Sequence, residues 1–189
     1  MDIKSVKFVK GIVGADDFLD DNIPQIAFIG RSNVGKSSVI NAFTKQQNLA
    51  ITSATPGRTQ EINLFLINNN FYLIDLPGYG FVRHSMKARE RLQKLIDWYL
   101  FESEYEQKAV VMVVDAVVGI TDSDLDMLVE LEGSEKNVII LANKIDKLKN
   151  SEYKKKLQEI QYKVGDHKVI PFSAKKKTGV GLLVNELFN

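Results

Sequence analysis

The sequence predicts an α/β fold: a three-layer sandwich in which helices cover both faces of a mostly parallel sheet that contains one antiparallel strand. Two runs, residues 109–114 and 138–142, are apolar at every position, which is typical of central strands in a parallel sheet. Stretches with apolar residues at helical spacing lie between the strand-like runs. Residues 62–67 and 71–74 are strand-like and joined by three asparagines, a pattern that predicts an antiparallel hairpin. Ligands of such sheets bind beyond the carboxyl ends of the strands.

The elements alternate regularly along the chain. The predicted strands lie at residues 4–12, 26–29, 62–67, 71–74, 109–114, 138–142 and 169–172, and the first is a half-exposed edge strand. The predicted helices lie at residues 38–43, 85–101, 121–131, 153–164 and 180–187, and the third opens on a capping box. Residues 45–60 contain turn formers without periodicity, which predicts a mobile loop.

Length and composition predict a single domain over residues 1–189, with a short N-terminal edge-strand extension over about residues 1–22. The chain has 25 basic and 24 acidic residues, so any contact with nucleic acid needs a local patch of charge. It has no cysteine, which excludes a disulfide framework and a cysteine nucleophile or metal site. No run is typical of a signal peptide or a membrane span, so we expect a cytoplasmic protein with no membrane partner. We also expect the protein to be monomeric.

The most specific motif is residues 30–37, which fit the phosphate-loop pattern G-x-x-x-x-G-K-[ST] between a predicted strand and a predicted helix. This arrangement aims backbone N–H groups and the positive end of a helix dipole at one point, which is what a polyphosphate needs. Gly30 and Gly35 allow the backbone to approach the phosphates. Lys36 is expected to reach the β and γ oxygens, and the Ser37 hydroxyl is expected to ligate Mg²⁺.

A second motif, Asp75-Leu76-Pro77-Gly78, directly follows the strand at residues 71–74 and therefore lies at the same edge as the phosphate loop. A carboxylate there can hold Mg²⁺ through a water, and the Gly78 N–H can contact the γ-phosphate. Taken alone, the motif is also compatible with an ordinary turn at a strand end. Its position on the second strand after a phosphate loop favours the functional interpretation.

The predicted mobile loop is expected to supply one more hydroxyl to Mg²⁺ and a backbone contact to the γ-phosphate. Thr59, immediately before a strand, is the preferred threonine; Thr55 is the alternative, and Thr52 is expected to be a solvated loop residue. Arg58 is either a surface or partner-facing arginine or a finger that neutralises transition-state charge.

A third motif, Asn143-Lys144-x-Asp146, closes the strand at residues 138–142 and predicts guanine recognition. Asp146 would accept hydrogen bonds from N1–H and the exocyclic amine of guanine, two donors that adenine lacks. Lys144 would lie along the base, and Asn143 would tie the loops together. The short motif Ser173-Ala174-Lys175 follows the last strand, where the Ala174 N–H would face O6 of guanine.

These motifs, each at a strand end and in this order, predict a GTPase that binds GTP and GDP. Tyr79 occupies the position after Gly78 where Ras-like proteins carry a glutamine that orients the attacking water, so we expect slow intrinsic hydrolysis. A nucleotide kinase shares the phosphate loop but has no use for the guanine motif. A GTP-binding scaffold with negligible turnover is the other alternative.

The sequence resembles the EngB/YsxC family of ribosome-biogenesis GTP-binding proteins, within the Era-like branch of translation-related P-loop GTPases. The resemblance rests on residues 30–38, 55–60 and 75–80 and extends over nearly the whole chain. It implies a bacterial cytoplasmic GTPase that assists late assembly of the large (50S) ribosomal subunit. Relatives often carry threonine in place of Asn143, whereas a hydrophobic residue at the position of Tyr79 is shared by the branch.

The resemblance also implies a role for Asn33, which would coordinate a K⁺ that bridges the phosphates and compensates for the missing glutamine. The catalytic candidates are therefore Lys36, Thr59 and Asn33, and the Mg²⁺ candidates are Ser37, Thr59 and Asp75. The candidate nucleotide-binding residues are Gly30, Arg31, Ser32, Asn33, Val34, Gly35, Lys36, Ser37, Ser38, Gly57, Arg58, Thr59, Asp75, Leu76, Pro77, Gly78, Asn143, Lys144, Asp146, Ser173, Ala174 and Lys175.

Two surfaces remain open between a functional and a structural interpretation. Lysines at residues 147, 149, 154–156 and 175–177 form either a face for rRNA phosphates or a solvated surface. The apolar, glycine-containing segment 79–82 is either a docking surface that depends on the nucleotide state or a segment that packs against the next helix.

Overall fold

The computed structural model describes residues 2–14, 21–46, 49–50, 61–80 and 86–188. Its strands are β1 (Val6–Ile12), β2 (Gln25–Gly30), β3 (Ile62–Ile67), β4 (Phe71–Asp75), β5 (Gln107–Asp115), β6 (Val138–Asn143) and β7 (Lys168–Pro171). Its α-helices are α1 (Lys36–Phe43), α2 (Met86–Asp97), α3 (Asp122–Gly133), α4 (Asn150–Val164) and α5 (Val180–Phe188). A π-helical turn, Trp98–Glu102, continues α2, and a short 3₁₀ turn, Ile145–Lys147, follows β6.

The described strands form one sheet of seven in the order β1-β3-β4-β2-β5-β6-β7. β3 pairs antiparallel with both of its neighbours, β1 and β4, and every other described pair is parallel. Among these strands, β3 is therefore the one that runs against the rest, which confirms the predicted architecture. In the sheet, β3 and β4, which follow β2 in the sequence, lie on one side of β2, whereas β5 lies on its other side. The order of the strands therefore changes direction at β2. Ligands of α/β sheets bind at such a change of direction, beyond the carboxyl ends of the strands.

Two apolar cores, one on each face of the sheet, produce the three layers. On one face, Ile26 and Phe28 of β2 pack with apolar residues of α1 and α5. On the other face, Ala27 and Ile29 of the same strand belong to the core beneath α2, α3 and α4. Successive residues of β2 thus face opposite helical layers, which is why the strand is apolar throughout.

β4, β5 and β6 each end one residue later than predicted, and each additional residue is polar. β4 ends at Asp75, β5 at Asp115 and β6 at Asn143, and the last two lie side by side in register. The apolar runs stop earlier because the last paired position of each strand, although buried, carries a polar side chain. The polar residues at the binding edge are consequently held by sheet hydrogen bonds.

Local signals in the sequence correspond closely to the observed turns and caps. Asn68 and Asn69 both have positive φ in the β3–β4 turn, as a hairpin of asparagines requires. Thr121 and Asp124 form the predicted capping box at the start of α3. α1 begins at Lys36, two residues earlier than predicted, because Gly35 adopts a left-handed N-cap with φ 94°.

Most of the predicted mobile loop lies outside the described residues, which include only 45–46 and 49–50 of it. Residues 81–85 and the acidic residues 16, 17 and 20 also lie outside them. Among the described helices, none is long and apolar enough to cross a membrane.

Candidate functional site

The phosphate loop lies between β2 and α1, and both of its glycines are required by close neighbours. A Cβ on Gly30 would collide with the backbone carbonyl of Val113 on the neighbouring strand β5. A Cβ on Gly35 would lie 2.6 Å from Nδ2 of Asn143, and its φ of 94° also disfavours any side chain. The loop can therefore approach both the sheet and the Asn143 motif only with glycine at these positions.

Lys36 and Asp75 form a buried ion pair at the base of the phosphate loop. The Lys36 ammonium donates to Oδ1 of Asp75, and the two residues are 7% and 2% exposed. Asp75 stands at the end of β4, which is paired with β2, so the two motifs meet at one point of the sheet edge. A polyphosphate would offer the Lys36 ammonium a second anionic partner at this point.

The Asp75 motif continues from β4 directly onto the phosphate loop. The Ser32 N–H donates to the Tyr79 carbonyl (3.1 Å), and the Tyr79 N–H donates to the Gly30 carbonyl (3.3 Å). Gly78 lies so close that a Cβ there would be 3.2 Å from the Ser32 nitrogen. Leu76 and Pro77, which lie between Asp75 and Gly78 in the chain, are buried. The Gly78 backbone thus lies against the loop, as a contact with the γ-phosphate would require.

Asn143 connects the phosphate loop to the two strand ends beside it. Its Nδ2 donates to the carbonyl of Val34 (2.9 Å), and its Oδ1 accepts from the N–H of Ala174 (3.1 Å). Its own carbonyl accepts from the N–H of Ala116 (2.8 Å). Asn143 is 2% exposed, so these bonds satisfy a buried polar side chain. The Ala174 N–H, which was predicted to face guanine O6, is bonded to Asn143 in this structure.

Lys144 reaches across the site and contacts a carboxylate that sequence analysis missed. Its Nζ donates to the Asn33 carbonyl (2.6 Å) and to Oδ2 of Asp115 (2.7 Å). The other oxygen of Asp115 accepts from the N–H of Val117 (2.9 Å) and thereby fixes the turn after β5. The signal for Asp115 was present: it directly follows a fully apolar strand, just as Asp75 does.

Asp146, the predicted guanine-recognition residue, is held in place by Ser173, which follows the last strand, β7. Oγ of Ser173 donates to Oδ1 of Asp146 (2.5 Å) and accepts from the N–H of Lys176 (3.0 Å). A bridge between Ser173 and Thr178 closes the turn, whose three lysines are exposed. The structure thus brings the Asn143 and Ser173 motifs together, with one oxygen of Asp146 already bonded.

Three predicted residues sit at the rim of the phosphate loop. Asn33 is exposed and has φ 71°, and Ser38 on the first turn of α1 is exposed as well. Ser37 is half-buried at the start of α1. Arg31 turns away from the loop and pairs with Asp124, a residue that sequence analysis assigned to the capping box alone. No sequence signal indicated this pair, because the two residues are 93 positions apart.

The site residues predicted in the mobile loop, Gly57, Arg58 and Thr59, lie outside the described part of the chain, as do Thr52 and Thr55. Their roles therefore stay predictions. The described residues at the sheet edge combine a glycine loop before a helix with an ammonium group, a serine hydroxyl and buried carboxylates. This combination can hold a polyphosphate with a divalent cation at one end and a purine base at the other.

The fold and this arrangement of strand ends define a P-loop GTPase. Comparison with known families agrees: the family described as 50S ribosome-binding GTPase matches residues 25–144, and the elongation factor Tu GTP-binding domain matches residues 103–189. The chain belongs to the EngB family of GTP-binding proteins and is a GTP-hydrolysing enzyme.

Full-length relatives support this assignment. A probable GTP-binding protein EngB of Clostridium perfringens (strain 13 / Type A) is 41% identical over all of this chain and 97% of its own length. The corresponding protein of Acholeplasma laidlawii is 37% identical over all of this chain and 99% of its own length. The crystal structure of a probable GTP-binding protein engB superposes with a TM-score of 0.72 at 27% identity, covering 87% of this chain and 96% of that one.

Proposed function

We propose that this GTPase is a molecular switch that assists assembly of the large (50S) ribosomal subunit in the cytoplasm, contacting the subunit or its precursor, including rRNA. The ribosomal role in this proposal rests on the match of residues 25–144 to the family described as 50S ribosome-binding GTPase. The exposed lysines of the 175–177 turn lie at the nucleotide edge of the sheet and offer positive charge to rRNA phosphates. We expect a monomeric protein of one GTP-binding domain.

The geometry supports a separate role for each motif of the nucleotide site. The phosphate loop cradles the phosphates through its backbone N–H groups, and the Lys36 ammonium shifts from Asp75 alone to the β and γ oxygens. Asp146 recognises the guanine edge, and Lys144 flanks the base while holding the loop at Asn33. Thr59 and Arg58 are proposed to complete the γ-phosphate side.

Mg²⁺ fits the donors at this edge, since it prefers oxygen ligands and takes one or two from protein with substrate phosphates. The Ser37 hydroxyl and the Asp75 carboxylate stand on adjacent elements beside the loop, and Thr59 is proposed as the third donor. When bound, Mg²⁺ neutralises charge on the phosphate oxygens. The residues of the chain orient the γ-phosphate and exclude water from the buried base of the loop.

The ribosomal proposal is tested by co-sedimentation of the protein with separated ribosomal subunits, in the presence of a GTP analogue, GDP or no nucleotide. We expect binding to large subunits that depends on the GTP analogue, because a switch must bind its partner in one state preferentially. Equal binding in all three conditions would contradict the switch. Phosphate release that stays at the buffer rate with saturating large subunits would contradict a role of the subunit in hydrolysis.

We expect Asn33→Ala to remove any stimulation of hydrolysis by K⁺ and to leave GTP affinity unchanged. The Asn33 side chain is exposed at the tip of the loop, whereas its backbone carbonyl is the group that anchors Lys144. The substitution therefore removes a side-chain oxygen that could ligate K⁺ and keeps the anchor. Hydrolysis is measured in KCl and in NaCl at equal ionic strength.

A matched control is Asn137→Ala, which removes an exposed asparagine bonded to the carbonyl of Lys108, before the amino end of β6 and far from the loop. K⁺ stimulation that survives Asn33→Ala would remove Asn33 from the proposed site. A rate that is identical in KCl and NaCl for the unmodified protein would remove K⁺ from the mechanism altogether.

A further inference from the structure

Arg31, Tyr79 and Thr121 converge on the carboxylate of Asp124, and we call these four residues the Asp124 cluster. Nε of Arg31 donates to both oxygens of Asp124 (3.1 and 3.0 Å), and the Tyr79 hydroxyl donates to Oδ1 (2.8 Å). The N–H and hydroxyl of Thr121 donate to Oδ2 (2.9 and 2.7 Å). The cluster therefore joins the phosphate loop, the segment after β4 and the start of α3.

The Asp124 carboxylate is fully buried, and its side chain has 0% exposure. A buried carboxylate is stable only when its oxygens are satisfied, and here both oxygens accept from three different parts of the chain. Within the described residues, the Nη2 atom of Arg31 is enclosed without a hydrogen-bond partner, so the pair through Nε is what compensates the guanidinium charge. Capping of α3 alone would require only the two hydrogen bonds that Thr121 donates to the Asp124 carboxylate.

Tyr79 is anchored at both its backbone and its side chain. Its N–H and carbonyl bond to the phosphate loop on either side of Arg31, and its ring is 4% exposed. Burial raises the pKa of the Tyr79 hydroxyl, so the group keeps its proton and donates to Asp124 at all physiological pH values. The preceding residue, Gly78, is consequently fixed between Asp75 and an immobilised tyrosine.

We propose that Asp124 is a positioning residue for GTP: through Tyr79 and Arg31 it holds Gly78 against the phosphate loop, ready to contact the γ-phosphate. The inference rests on the proposed γ-phosphate contact of Gly78. GDP has no γ-phosphate, so Asp124, Tyr79 and Arg31 affect the binding of GTP and leave GDP binding unchanged.

The test compares the affinities for a non-hydrolysable GTP analogue and for GDP, both with Mg²⁺, in Tyr79→Phe and Asp124→Asn. Phenylalanine keeps the buried ring and removes one hydroxyl, and asparagine keeps an acceptor for the helix cap while removing the charge opposite Arg31. We expect the ratio of GTP-analogue to GDP affinity to fall at least about fivefold in each variant, the lower end of a typical coupling between sites. A purely structural loss would lower the melting temperature and both affinities together.

Two further variants make the outcome decisive. Thr121→Val removes a hydroxyl bonded to the same carboxylate on the cap side. We expect it to lower the melting temperature and to leave the affinity ratio unchanged, so an equal fall of the ratio would overturn the inference. Gly78→Ala places a Cβ 3.2 Å from the loop backbone and is expected to lower the ratio.

The combined results distinguish the positioning role of Asp124 from the γ-phosphate contact of Gly78. If Gly78→Ala lowers the ratio while Tyr79→Phe and Asp124→Asn leave it unchanged, the positioning role of Asp124 is wrong and the γ-phosphate contact stands. If Gly78→Ala also leaves the ratio unchanged, the proposed contact is wrong, and the inference falls with it.

Discussion

Asp146→Asn is expected to shift the base preference of the enzyme from guanine to xanthine. The carboxylate is proposed to accept from two guanine donors, and each charge-assisted bond is worth about 1.5–3 kcal/mol. Replacing it with an amide, which can donate to O2 of xanthine, should weaken GTP binding by at least about a hundredfold. Binding of GTP and of xanthosine triphosphate is measured by titration.

The structure sharpens this expectation because Oδ1 of Asp146 already accepts from Ser173 (2.5 Å). An asparagine can keep its oxygen toward Ser173 and turn its NH₂ group toward the base, so the fold of the loop is preserved. Asp166→Asn is the matched control, since Asp166 is exposed in the turn before β7, at the opposite edge of the sheet. Unchanged GTP affinity in Asp146→Asn would remove this residue from guanine recognition.

The architecture could be predicted from the sequence because the signals that define its strands, turns and helix starts are local. Fully apolar runs identified β5 and β6, three asparagines identified the β3–β4 turn, and a four-residue box identified the start of α3. The order of motifs along alternating strands and helices then placed them at one sheet edge. Pattern and topology therefore predicted which residues meet at the candidate site.

The sequence was insufficient for contacts that depend on side-chain geometry over long separations. Lys144 was assigned to the base, and its pair with Asp115, 29 positions earlier, became visible only in the structure. Tyr79 was interpreted through the glutamine it replaces, whereas its hydroxyl is bonded to Asp124, 45 positions later. The spacing of residues along the chain gives no signal for such pairs, because each partner is also compatible with its own strand, helix or loop without the other.

The pair between Lys36 and Asp75 couples catalysis to stability, and Lys36→Met is expected to damage both. Hydrolysis should fall at least about a hundredfold, because the ammonium that is proposed to neutralise the phosphate oxygens is lost. The nucleotide-free protein should lose about 3–5 kcal/mol of unfolding free energy, since the substitution leaves the carboxylate of Asp75 buried and unpaired. Denaturant unfolding without nucleotide and single-turnover hydrolysis measure the two effects.

The double variant Lys36→Met, Asp75→Asn separates the two effects. A neutral amide at the end of β4 has no uncompensated charge to bury, so most of the lost unfolding free energy should return while hydrolysis stays low. Lys45→Met is the control for lysine removal: Lys45 pairs with Asp2 on the surface, and this exposed pair should make no measurable difference. If the double variant is as unstable as Lys36→Met, the cost comes from lost packing of the lysine stem, and the buried pair is not its source.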